Sequence, residues 1–565
     1  MNKLKQKGKV INKHKTIHIN EPFYLRGYYP YLWIFIAIFL LFIQVIGFDY
    51  TYLDDNALLL NYFPFLKKLS YIKQAFCENV FHLSSGKGMY YRPLLTLSFM
   101  FDTMISGGGK IGFFHFMNIF YHLIATCLLF KLFMVMDFEK IKAFFFSMLF
   151  AVHPMAVQVV AWIPGRNDSI MAIFILSSFI YMIRYNQHRK LKFLFLSLLL
   201  FICSLFTKEN SIFLLPVFIL YFRIKQKSSM KKLILPFVLM GLFIMIWLNI
   251  RYHALSFDKS IVADYTVKAT IMSFFENTPA LLTYIGKFFI PLFLSVYPVL
   301  KDMSISIITG CVALIFFVVM FFYTKFSHSA MMFFGISWFL LFISLTIVTP
   351  TTDFPVFSEH RSYLAMVGLL LFIMESRFVI IFFKRGKWAI YIYSGIIIIF
   401  AIFSFIHSHN FKDKMTFWQS AVKTSPSNSF NNNNLGAMYY LNKDLQQAEK
   451  YFRKAVSLNP KEPLANGNIG MICMNTGRPA EAENYYLLEM QYNPLNYLAY
   501  SNCGILYAKN NNLEEAAKMW ERSIDLSPYD TETYHNLLVI YRQLGKNADI
   551  DRILNKALQY NISIP

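Results

Sequence analysis

The sequence predicts an all-α protein in two parts: a polytopic membrane domain, then a solenoid of helical repeats. Hydrophobic residues make up 56% of the chain and charged residues only 15%, a balance that a soluble protein of this size could not keep hydrated. The apolar residues fall in long runs up to residue 406. Beyond that point the same pattern of residues recurs every 34 positions.

The apolar runs define the membrane domain, which we place at 30–410, after a basic cytoplasmic N-terminus at 1–29 and before a repeat domain at 411–565. No small-residue cleavage site follows the first run, so we expect it to be retained as a signal anchor. A spanning helix needs about 20 apolar residues. About eleven runs approach that length, at 30–48, 113–135, 143–163, 168–185, 191–207, 210–223, 233–250, 304–323, 330–349, 362–383 and 388–406.

The positive charge of the chain is best explained by its orientation in the membrane. The formal net charge is +22, but Lys and Arg cluster in short loops between apolar runs, as the positive-inside rule describes. No nucleic-acid-binding motif accompanies them. The basic run Lys3–Lys15 puts the N-terminus in the cytoplasm, and the basic loops near residues 140, 190 and 228 then fall on the same side.

The stretch 272–297 decides which side the rest of the chain occupies. It is apolar, but Glu276, Pro279 and Pro291 interrupt it. We predict that it does not cross, because the basic cluster Lys384–Lys387 then returns to the cytoplasm. Everything after residue 406 consequently lies on the extracytoplasmic side.

Asp54 and Asp55 come just after the first apolar run. Two adjacent carboxylates at the mouth of a membrane domain are costly unless they face water or take part in chemistry. The predicted topology puts Glu359, His360 and Arg361 on the same side. The long loop 49–112 between the first two runs is expected to form short helices on the outer membrane face. A purely structural alternative is that the Asp pair caps one of these helices.

The repeat domain has a period of 34 residues with several positions in register. A small residue where two helices touch, an aromatic residue in the core and a proline at the turn are typical of tetratricopeptide (TPR) repeats. The last unit loses its glycine and its alanine, as expected of a capping repeat. The repeating positions are Pro426, Pro460, Pro494 and Pro528; Gly436, Gly470 and Gly504; Ala448, Ala482 and Ala516; and Phe452, Tyr486, Trp520 and Leu554.

A row of side-chain amides follows from the same register. Asparagine occupies one position of every first helix, at Asn434, Asn468, Asn502 and Asn536. Amides in a row could hydrogen-bond the backbone of an extended peptide. Alternatively, they only order the repeat, and the sequence leaves both interpretations open.

Several segments together resemble the TMTC-type proteins, in which a multi-span domain related to the protein O-mannosyltransferases precedes TPR repeats. The resemblance covers nearly the whole chain in the family's order, although Gln158 stands where the family usually carries Glu. The segments are Asp54-Asp55, Tyr91-Arg92-Pro93-Leu94, Phe114-His115 through Asn118 to His122, Leu149 to Pro154, Val160 to Asp168, Phe206 to Asn210, and Glu359 to Leu364.

The resemblance implies a GT-C-like fold and a glycosyltransferase that takes a sugar from a polyprenyl-phosphate carrier. The acceptor would be a Ser or Thr hydroxyl on an extracytoplasmic protein held by the TPR array. Asp54 and Asp55 occupy the place of the catalytic base. A lipid phosphate leaves, so we expect cationic and polar residues to bind the donor: Arg92, His153, Arg166, Asp168, Lys208, Glu209, Glu359, His360 and Arg361.

Each donor-site residue also has a structural alternative. Arg166 could pair with Asp168, and Lys208 with Glu209, while His153 could sit at a helix kink. Arg92 could bind lipid headgroups, and Glu359 to Arg361 could anchor the chain at the interface. Six scattered cysteines without a CxxC pair indicate neither a disulfide framework nor a zinc site. Some GT-C enzymes use a divalent metal, but two adjacent Asp residues do not define a metal site and the resemblance to the O-mannosyltransferases implies none, so we expect no metal or other cofactor.

Two other functions stay open: a non-catalytic TPR membrane scaffold, and a related enzyme that glycosylates a lipid or a glycan. The abundance of Lys, Asn, Ile and Phe suggests an AT-rich genome. The short N-terminus and single compact repeat array lead us to expect a bacterial inner membrane with the repeats in the periplasm. In a eukaryote, the same topology would place the protein in the endoplasmic reticulum membrane with the repeats in the lumen.

Overall fold

The computed structural model describes residues 22–81, 90–225, 230–255, 266–348, 357–384, 386–560 and 562. Within these ranges every regular element is helical, which confirms the all-α prediction. The basic N-terminal run and Arg385 of the basic cluster lie outside the described residues.

In the described part of the chain, nineteen α-helices precede the repeats, several of them joined by single 3₁₀ turns. They are α1 (Tyr29–Phe42), α2 (Asp55–Leu58), α3 (Phe63–Leu66), α4 (Ile72–Cys77), α5 (Pro93–Ile105), α6 (Ile111–Val135), α7 (Lys140–Val152), α8 (Val157–Ala161), α9 (Arg166–His188), α10 (Leu191–Leu205), α11 (Leu214–Ile224), α12 (Ile234–Ala254), α13 (Val267–Asn277), α14 (Pro279–Phe289), α15 (Ser304–Tyr323), α16 (Phe326–Val348), α17 (Met366–Met374), α18 (Arg377–Phe383) and α19 (Lys387–Ser408).

Every one of the eleven apolar runs is helical, but the runs differ in length and straightness. Among the described residues, seven helical stretches are long and apolar enough to cross a membrane, and two more candidates are helix pairs bent by 53° and 64°. The bends separate α7 from α8 and α17 from α18. The remaining two runs form α10 and α11, with 15 and 11 residues, which is short of the usual span.

The two ends of the helix bundle differ in charge. We call the end that carries Asp54 the outer end. At the opposite end the loops are basic, and Arg189 there donates a hydrogen bond to the carbonyl of Lys232 over 3.1 Å. His328 and Glu375 also meet at that end, 2.5 Å apart.

The stretch 272–297 lies in the outer part of the bundle, and that it does not cross a membrane stays a prediction. Helix α12 reaches the outer end, where it packs against α4 of the outer loop. Helix α15 begins at the same end. Helix α14, which lies between α12 and α15 in the chain, packs closely against the first turns of α15. Both flanks of the stretch therefore lie on one side.

The repeat domain is a stack of antiparallel helix pairs. Side chains at the N-caps start most of these helices, as when the carboxylate of Asp444 accepts a hydrogen bond from the Gln447 N–H over 3.1 Å. The helices are α20 (Lys414–Thr424), α21 (Ser429–Leu441), α22 (Leu445–Leu458), α23 (Ala465–Asn475), α24 (Pro479–Tyr492), α25 (Tyr497–Lys509), α26 (Leu513–Leu526), α27 (Thr531–Gln543) and α28 (Asn547–Gln559).

The glycine and the aromatic residue of each repeat pack directly on one another. A Cβ atom at Gly436 would come within 2.7 Å of the Phe452 ring, and one at Gly470 within 2.6 Å of Tyr486. Ala448, Ala482 and Ala516 are fully buried at the same helix crossing. In the last unit Leu538 replaces the glycine, and the facing residue Leu554 is 37% exposed. The predicted capping character of that unit thus has a direct packing reason.

Candidate active site

Asp54 lies at the outer end, just before the short helix α2. It occupies the N-cap position, but its side chain accepts no capping hydrogen bond from that helix. Among the described residues nothing donates a hydrogen bond to its carboxylate, which is only partly buried. Burial raises the pKa of Asp54 to about 6, and the positive charge of Arg92 opposes that rise.

Asp55 is fixed by its surroundings. Its side chain is buried and accepts two hydrogen bonds from Thr51, one from the backbone N–H over 2.7 Å and one from the hydroxyl over 2.5 Å. Burial raises its pKa to about 6, while the bonds from Thr51 oppose the shift. Asp55 therefore holds the turn that presents Asp54.

Two neighbouring ion pairs lie in this region, and Arg92 of the first acts electrostatically on Asp54. Arg92 binds Glu209 with two hydrogen bonds, Nη2 to Oε1 over 2.7 Å and Nε to Oε2 over 3.3 Å. Lys208 donates to Asp168 over 2.7 Å in a nearly buried pair. Burial alone would raise the pKa of Glu209, but the charges of Arg92 and Lys208 lower it to about 2. The alternative in which Lys208 and Glu209 pair only with each other is wrong. Each of them forms its ion pair with a residue of another segment.

The local backbone explains where these charges point. Pro93 opens α5, and a residue that precedes proline is held away from helical angles. Arg92 consequently extends from the helix start and lies over the Tyr90 ring, 4.2 Å from its centroid. Lys208 is likewise extended, at φ −157°, ahead of the 3₁₀ turn Glu209–Phe213.

Arg166 does not belong to this group. Its guanidinium is completely buried and is paired with Asp102 of α5, not with Asp168 as the sequence suggested. It also donates to Asn118 over 2.8 Å and to the Phe114 carbonyl over 2.7 Å. The guanidinium thus uses its hydrogen bonds inside the protein, and Arg166 ties α5, α6 and α9 together. We therefore no longer count Arg166 among the residues expected to bind the sugar-phosphate substrate.

His153 also has a structural position. Helix α7 ends at Val152, and the His153 ring accepts a hydrogen bond from the Met155 N–H over 3.2 Å. Its other ring nitrogen bonds the Phe288 carbonyl over 3.1 Å. Both ring nitrogens therefore form hydrogen bonds with the main chain, and His153 stabilises the kink between α7 and α8.

The turn Glu359–Ser362 closes another side of the site. Glu359 Oε1 accepts a hydrogen bond from Lys287 over 2.5 Å and one from the Ser295 N–H over 3.0 Å. Burial and the positive charges of Lys208, Arg361 and Arg92 hold the pKa of His360 well below its usual range. A neutral His360 can donate or accept a hydrogen bond, but it cannot add positive charge opposite a phosphate.

Two residues of this region escaped the sequence analysis. Lys287 is the buried partner of Glu359, and a single cation in an apolar stretch was the available signal. Tyr297 lies within electrostatic reach of both Asp54 and Arg361, and nothing in its local sequence marks it. Gln158 helps to hold both segments, because it donates to the Val296 carbonyl over 3.3 Å and accepts from the His360 N–H over 3.4 Å.

The four asparagines of the row differ in their side-chain hydrogen bonds. Asn434 donates to the Phe430 carbonyl over 2.8 Å, and Asn468 donates to Asn433 over 3.0 Å. These two amides help to order the array. Asn502 and Asn536 are partly exposed and make no side-chain hydrogen bond with a described residue, so peptide binding by the row stays a prediction.

One group of possible metal ligands lies close together in the described residues: Glu449, Cys473 and Glu481. Glu449 is bonded to Arg478 over 2.7 Å, and Glu481 to Arg453 over 2.5 Å. The two arginines already neutralise both carboxylates, so this group is an ion-pair network on the repeats. That the chain needs no metal remains a prediction.

Comparison with known families identifies the repeats. Two tetratricopeptide-repeat family models match residues 433–462 and 470–531. Solved structures with some likeness include MamA, with 19% identity over 26% of this chain and 80% of that chain (TM-score 0.23). Another is YrrB, a TPR protein with an unusual peptide-binding site, with 18% identity over 26% and 75% (TM-score 0.22).

The similar curated proteins are TMTC-type protein O-mannosyltransferases. One from Caenorhabditis elegans is 30% identical over 183 residues, which is 31% of this chain and 25% of that protein. Human TMTC1 is 31% identical over 162 residues, covering 24% of this chain and 17% of the human protein. The matched regions thus span about a quarter or less of these relatives, and the chain is similar to them in the way the sequence motifs indicated.

Proposed function

We propose that this chain is a membrane glycosyltransferase that moves a sugar from a polyprenyl-phosphate carrier to Ser or Thr hydroxyls of extracytoplasmic proteins. The observation that carries the proposal is the environment of Asp54. A carboxylate without a hydrogen-bond partner among the described residues lies within electrostatic reach of Arg92, whose pair with Glu209 neighbours the pair of Lys208 and Asp168. Tyr297, which packs on the first repeat helices, is within reach of the same carboxylate. The names of the similar proteins make mannose the first sugar to test.

Asp54 is the proposed general base. It takes the proton of the acceptor hydroxyl while the hydroxyl oxygen attacks the anomeric carbon of the sugar. The bond from that carbon to the phosphate oxygen breaks, and the lipid phosphate leaves with the electron pair. A pKa of about 6 suits this role, because the carboxylate is ionised at neutral pH yet still basic enough to accept a proton. Asp55 acts indirectly, through the turn it holds with Thr51.

The leaving phosphate would be met by Arg92, Lys208 and Arg361. Arg92 and Lys208 are each paired with one carboxylate, which offsets the cost of burying their charges before the lipid-linked sugar binds. Guanidinium groups offer a two-pronged match to phosphate oxygens. The neutral ring of His360 would contribute a hydrogen bond to the phosphate. The TPR array would bind the acceptor polypeptide, as such arrays commonly do.

The test compares glycoproteins of cells that carry the wild type, Asp54→Asn or Asp55→Asn, at matched membrane levels. Asp54→Asn is expected to lower one set of Ser- or Thr-linked sugars by about 100-fold or more, because the amide cannot accept the proton. Asp55→Asn is expected to lower the same set less and to reduce the amount of folded protein. Arg552→Gln, on the last repeat helix and exposed, is the control and should match the wild type.

The other outcomes separate the alternative functions. An unchanged glycoprotein profile with altered lipid-linked glycans would favour an enzyme that decorates a lipid or glycan. If neither profile changes in Asp54→Asn, the pair has no catalytic role, and a TPR membrane scaffold becomes the better interpretation.

A further inference from the structure

The segment 294–302, which we call the coupling segment, joins the candidate active site to the first repeat helices. Towards the site, the Ser295 N–H donates to Glu359 Oε1 over 3.0 Å, and the Val296 carbonyl accepts from Gln158 over 3.3 Å. These bonds leave the side chains of Ser295 and Asp302 free to face the repeats.

Towards the repeats, the coupling segment makes a series of polar contacts. The hydroxyls of Ser295 and Thr424 lie 2.6 Å apart. Asp302 accepts two hydrogen bonds from Ser427, one from the hydroxyl over 2.7 Å and one from the N–H over 3.1 Å. Asn431 of α21 donates to the Tyr297 carbonyl over 3.2 Å. Because Ser295 is bonded on both sides, one residue connects the site turn with the array.

Tyr297 lies where the two parts meet. Its ring packs on Phe430 at 5.1 Å and on Trp418 at 6.2 Å between ring centroids. Its phenol makes no hydrogen bond with a described residue, and the residue is only partly buried. It lies within electrostatic reach of Asp54 on one side and of Glu462 of the first repeat on the other.

The row of asparagines begins next to Tyr297. Phe430 and Asn434 lie one helical turn apart on the same face of α21, and the Asn434 amide bonds the Phe430 carbonyl. One turn is about 5.4 Å, and an extended peptide advances about 3.3 Å per residue. With the further 5.1 Å between the Phe430 and Tyr297 rings, about three residues of an extended chain would reach from Asn434 to Tyr297.

We infer that the coupling segment fixes the groove of the repeat array relative to Asp54, so that an extended acceptor polypeptide held by the array passes over Tyr297 and presents its hydroxyl to Asp54. This inference rests on the proposed function. It makes the array a positioning device, which selects a Ser or Thr a few residues away from the segment held in the groove beside Asn434.

The test removes, in the full chain, the side-chain hydrogen bonds that Ser295 and Asp302 make with the array. Ser295→Ala combined with Asp302→Ala deletes the bonds to Thr424 and Ser427 but keeps the backbone bond to Glu359. Two acceptors are compared in membranes supplied with polyprenyl-phosphate mannose: the proteins whose Ser or Thr sites depend on Asp54, and the peptide acetyl-Ala-Thr-Ala-amide, which is too short to extend from Asp54 to the groove beside Asn434.

Occupancy of the protein sites is expected to fall about 10- to 100-fold in the double variant, while transfer to the tripeptide stays at the wild-type rate. Asp530→Ala is the matched control, because Asp530 also accepts two hydrogen bonds, from the N–H and hydroxyl of Thr533, but in the last repeat. Unchanged protein sites would overturn the inference. Equal loss with both acceptors would also overturn it, since the segment would then support only the fold.

A second measurement serves if the double variant does not fold. A photoreactive phenylalanine analogue replaces Tyr297 or, as a control, the exposed Tyr529 in the last repeat turn. Cross-links to peptides that carry the modified Ser or Thr are expected from position 297 and not from 529. Their absence at 297 would overturn the inference. Failure of the proposed function is recognised separately, because Asp54→Asn would then behave as the wild type with both acceptors.

Discussion

Asp54 and Asp55 are neighbours in the chain, yet their carboxylates have different surroundings. Thr51 saturates one oxygen of Asp55 with two short hydrogen bonds, whereas the side chain of Asp54 receives none from the described residues. A base must be able to approach the proton that it removes. The geometry therefore favours Asp54 for chemistry and Asp55 for positioning, a choice that the sequence left open.

Arg92 sets the pH range in which Asp54 can act as a base. Its positive charge lowers the pKa of Asp54, against the larger effect of burial. Replacing Arg92 with Gln removes that charge and leaves Glu209 unpaired, so the pKa of Asp54 should rise further above 6. Because the base must be ionised, the acid limb of the transfer rate should move to higher pH by about one unit.

A pH profile of transfer to the acetyl-Ala-Thr-Ala-amide peptide measures this shift. Arg552→Gln, which removes an exposed guanidinium far from the site, provides the control profile. A lower rate in Arg92→Gln with the acid limb at its wild-type pH would mean that Arg92 binds substrate without tuning Asp54.

The buried pair of Arg166 and Asp102 should matter for stability. Both side chains are fully buried, and removing one partner leaves an uncompensated charge in a poorly hydrated interior. Asp102→Ala is therefore expected to cost about 3–5 kcal/mol of unfolding free energy. Thermal unfolding in detergent would measure the loss. The control, Asp525→Ala, breaks an exposed pair with Lys556 and should cost less than about 1 kcal/mol.

At the scale of single residues, the sequence located charges better than their partners. Asp168, Lys208 and Glu209 lie near one another in the fold, while Arg166 is buried against Asp102. For each of these four charges, the nearest opposite charge in the sequence was the wrong partner. Arg166 pairs with Asp102, which lies 64 residues away, and only the packing of α5 against α9 brings them together. Tyr297 has no local signal, because its importance comes entirely from what surrounds it.

Among the helices, length and bending were the hardest features to predict. Hydropathy finds an apolar run but does not say whether it is one straight helix. The run 143–163 breaks at His153-Pro154, since proline lacks the N–H that a continuous helix needs, and α7 and α8 meet at 53°. The repeats were predicted more closely, because each helix pair is specified by contacts within one 34-residue unit.

The crossing of α14 and α15 depends on glycine. A Cβ atom at Gly310 would clash with the carbonyl of Leu282, and one at Gly286 with the carbonyl of Ser306. Small residues let membrane helices approach at backbone distance. Gly310→Ala should therefore cost about 1–3 kcal/mol. It should also reduce transfer, because α14 carries Lys287, the partner of Glu359.

Gly241 of α12 provides the matched control for this change. A Cβ atom there would meet nothing within 4 Å, so Gly241→Ala makes the same substitution without a clash. Thermal unfolding and transfer rate should both stay at wild-type values in that variant. If Gly310→Ala unfolds at the same temperature as Gly241→Ala, the close crossing does not support the site.

At the scale of the whole molecule, the repeat array packs on the outer end of the membrane domain. The predicted topology already put Asp54 and the repeats on one side, because the basic loops alternate along the chain. The contact itself could not be predicted. It consists of short polar side chains such as Ser295, Thr424 and Ser427, which are common on any surface and become informative only when they face one another.

The same arrangement makes a prediction about membrane topology. Lys73 of α4 lies in the outer loop, Asn511 lies between two repeat helices, and Lys190 lies at the opposite, basic end of the bundle; all three are exposed. Single cysteines at these positions, in a chain otherwise free of cysteine, would be treated with a membrane-impermeant maleimide on intact, sealed cells or vesicles.

Positions 73 and 511 should react from the extracytoplasmic side, because the positive-inside rule puts the basic loops in the cytoplasm. Position 190 should react only after the membrane is opened. Labelling of 511 together with 190 would contradict the topology, and it would separate the array from Asp54 by the width of the bilayer.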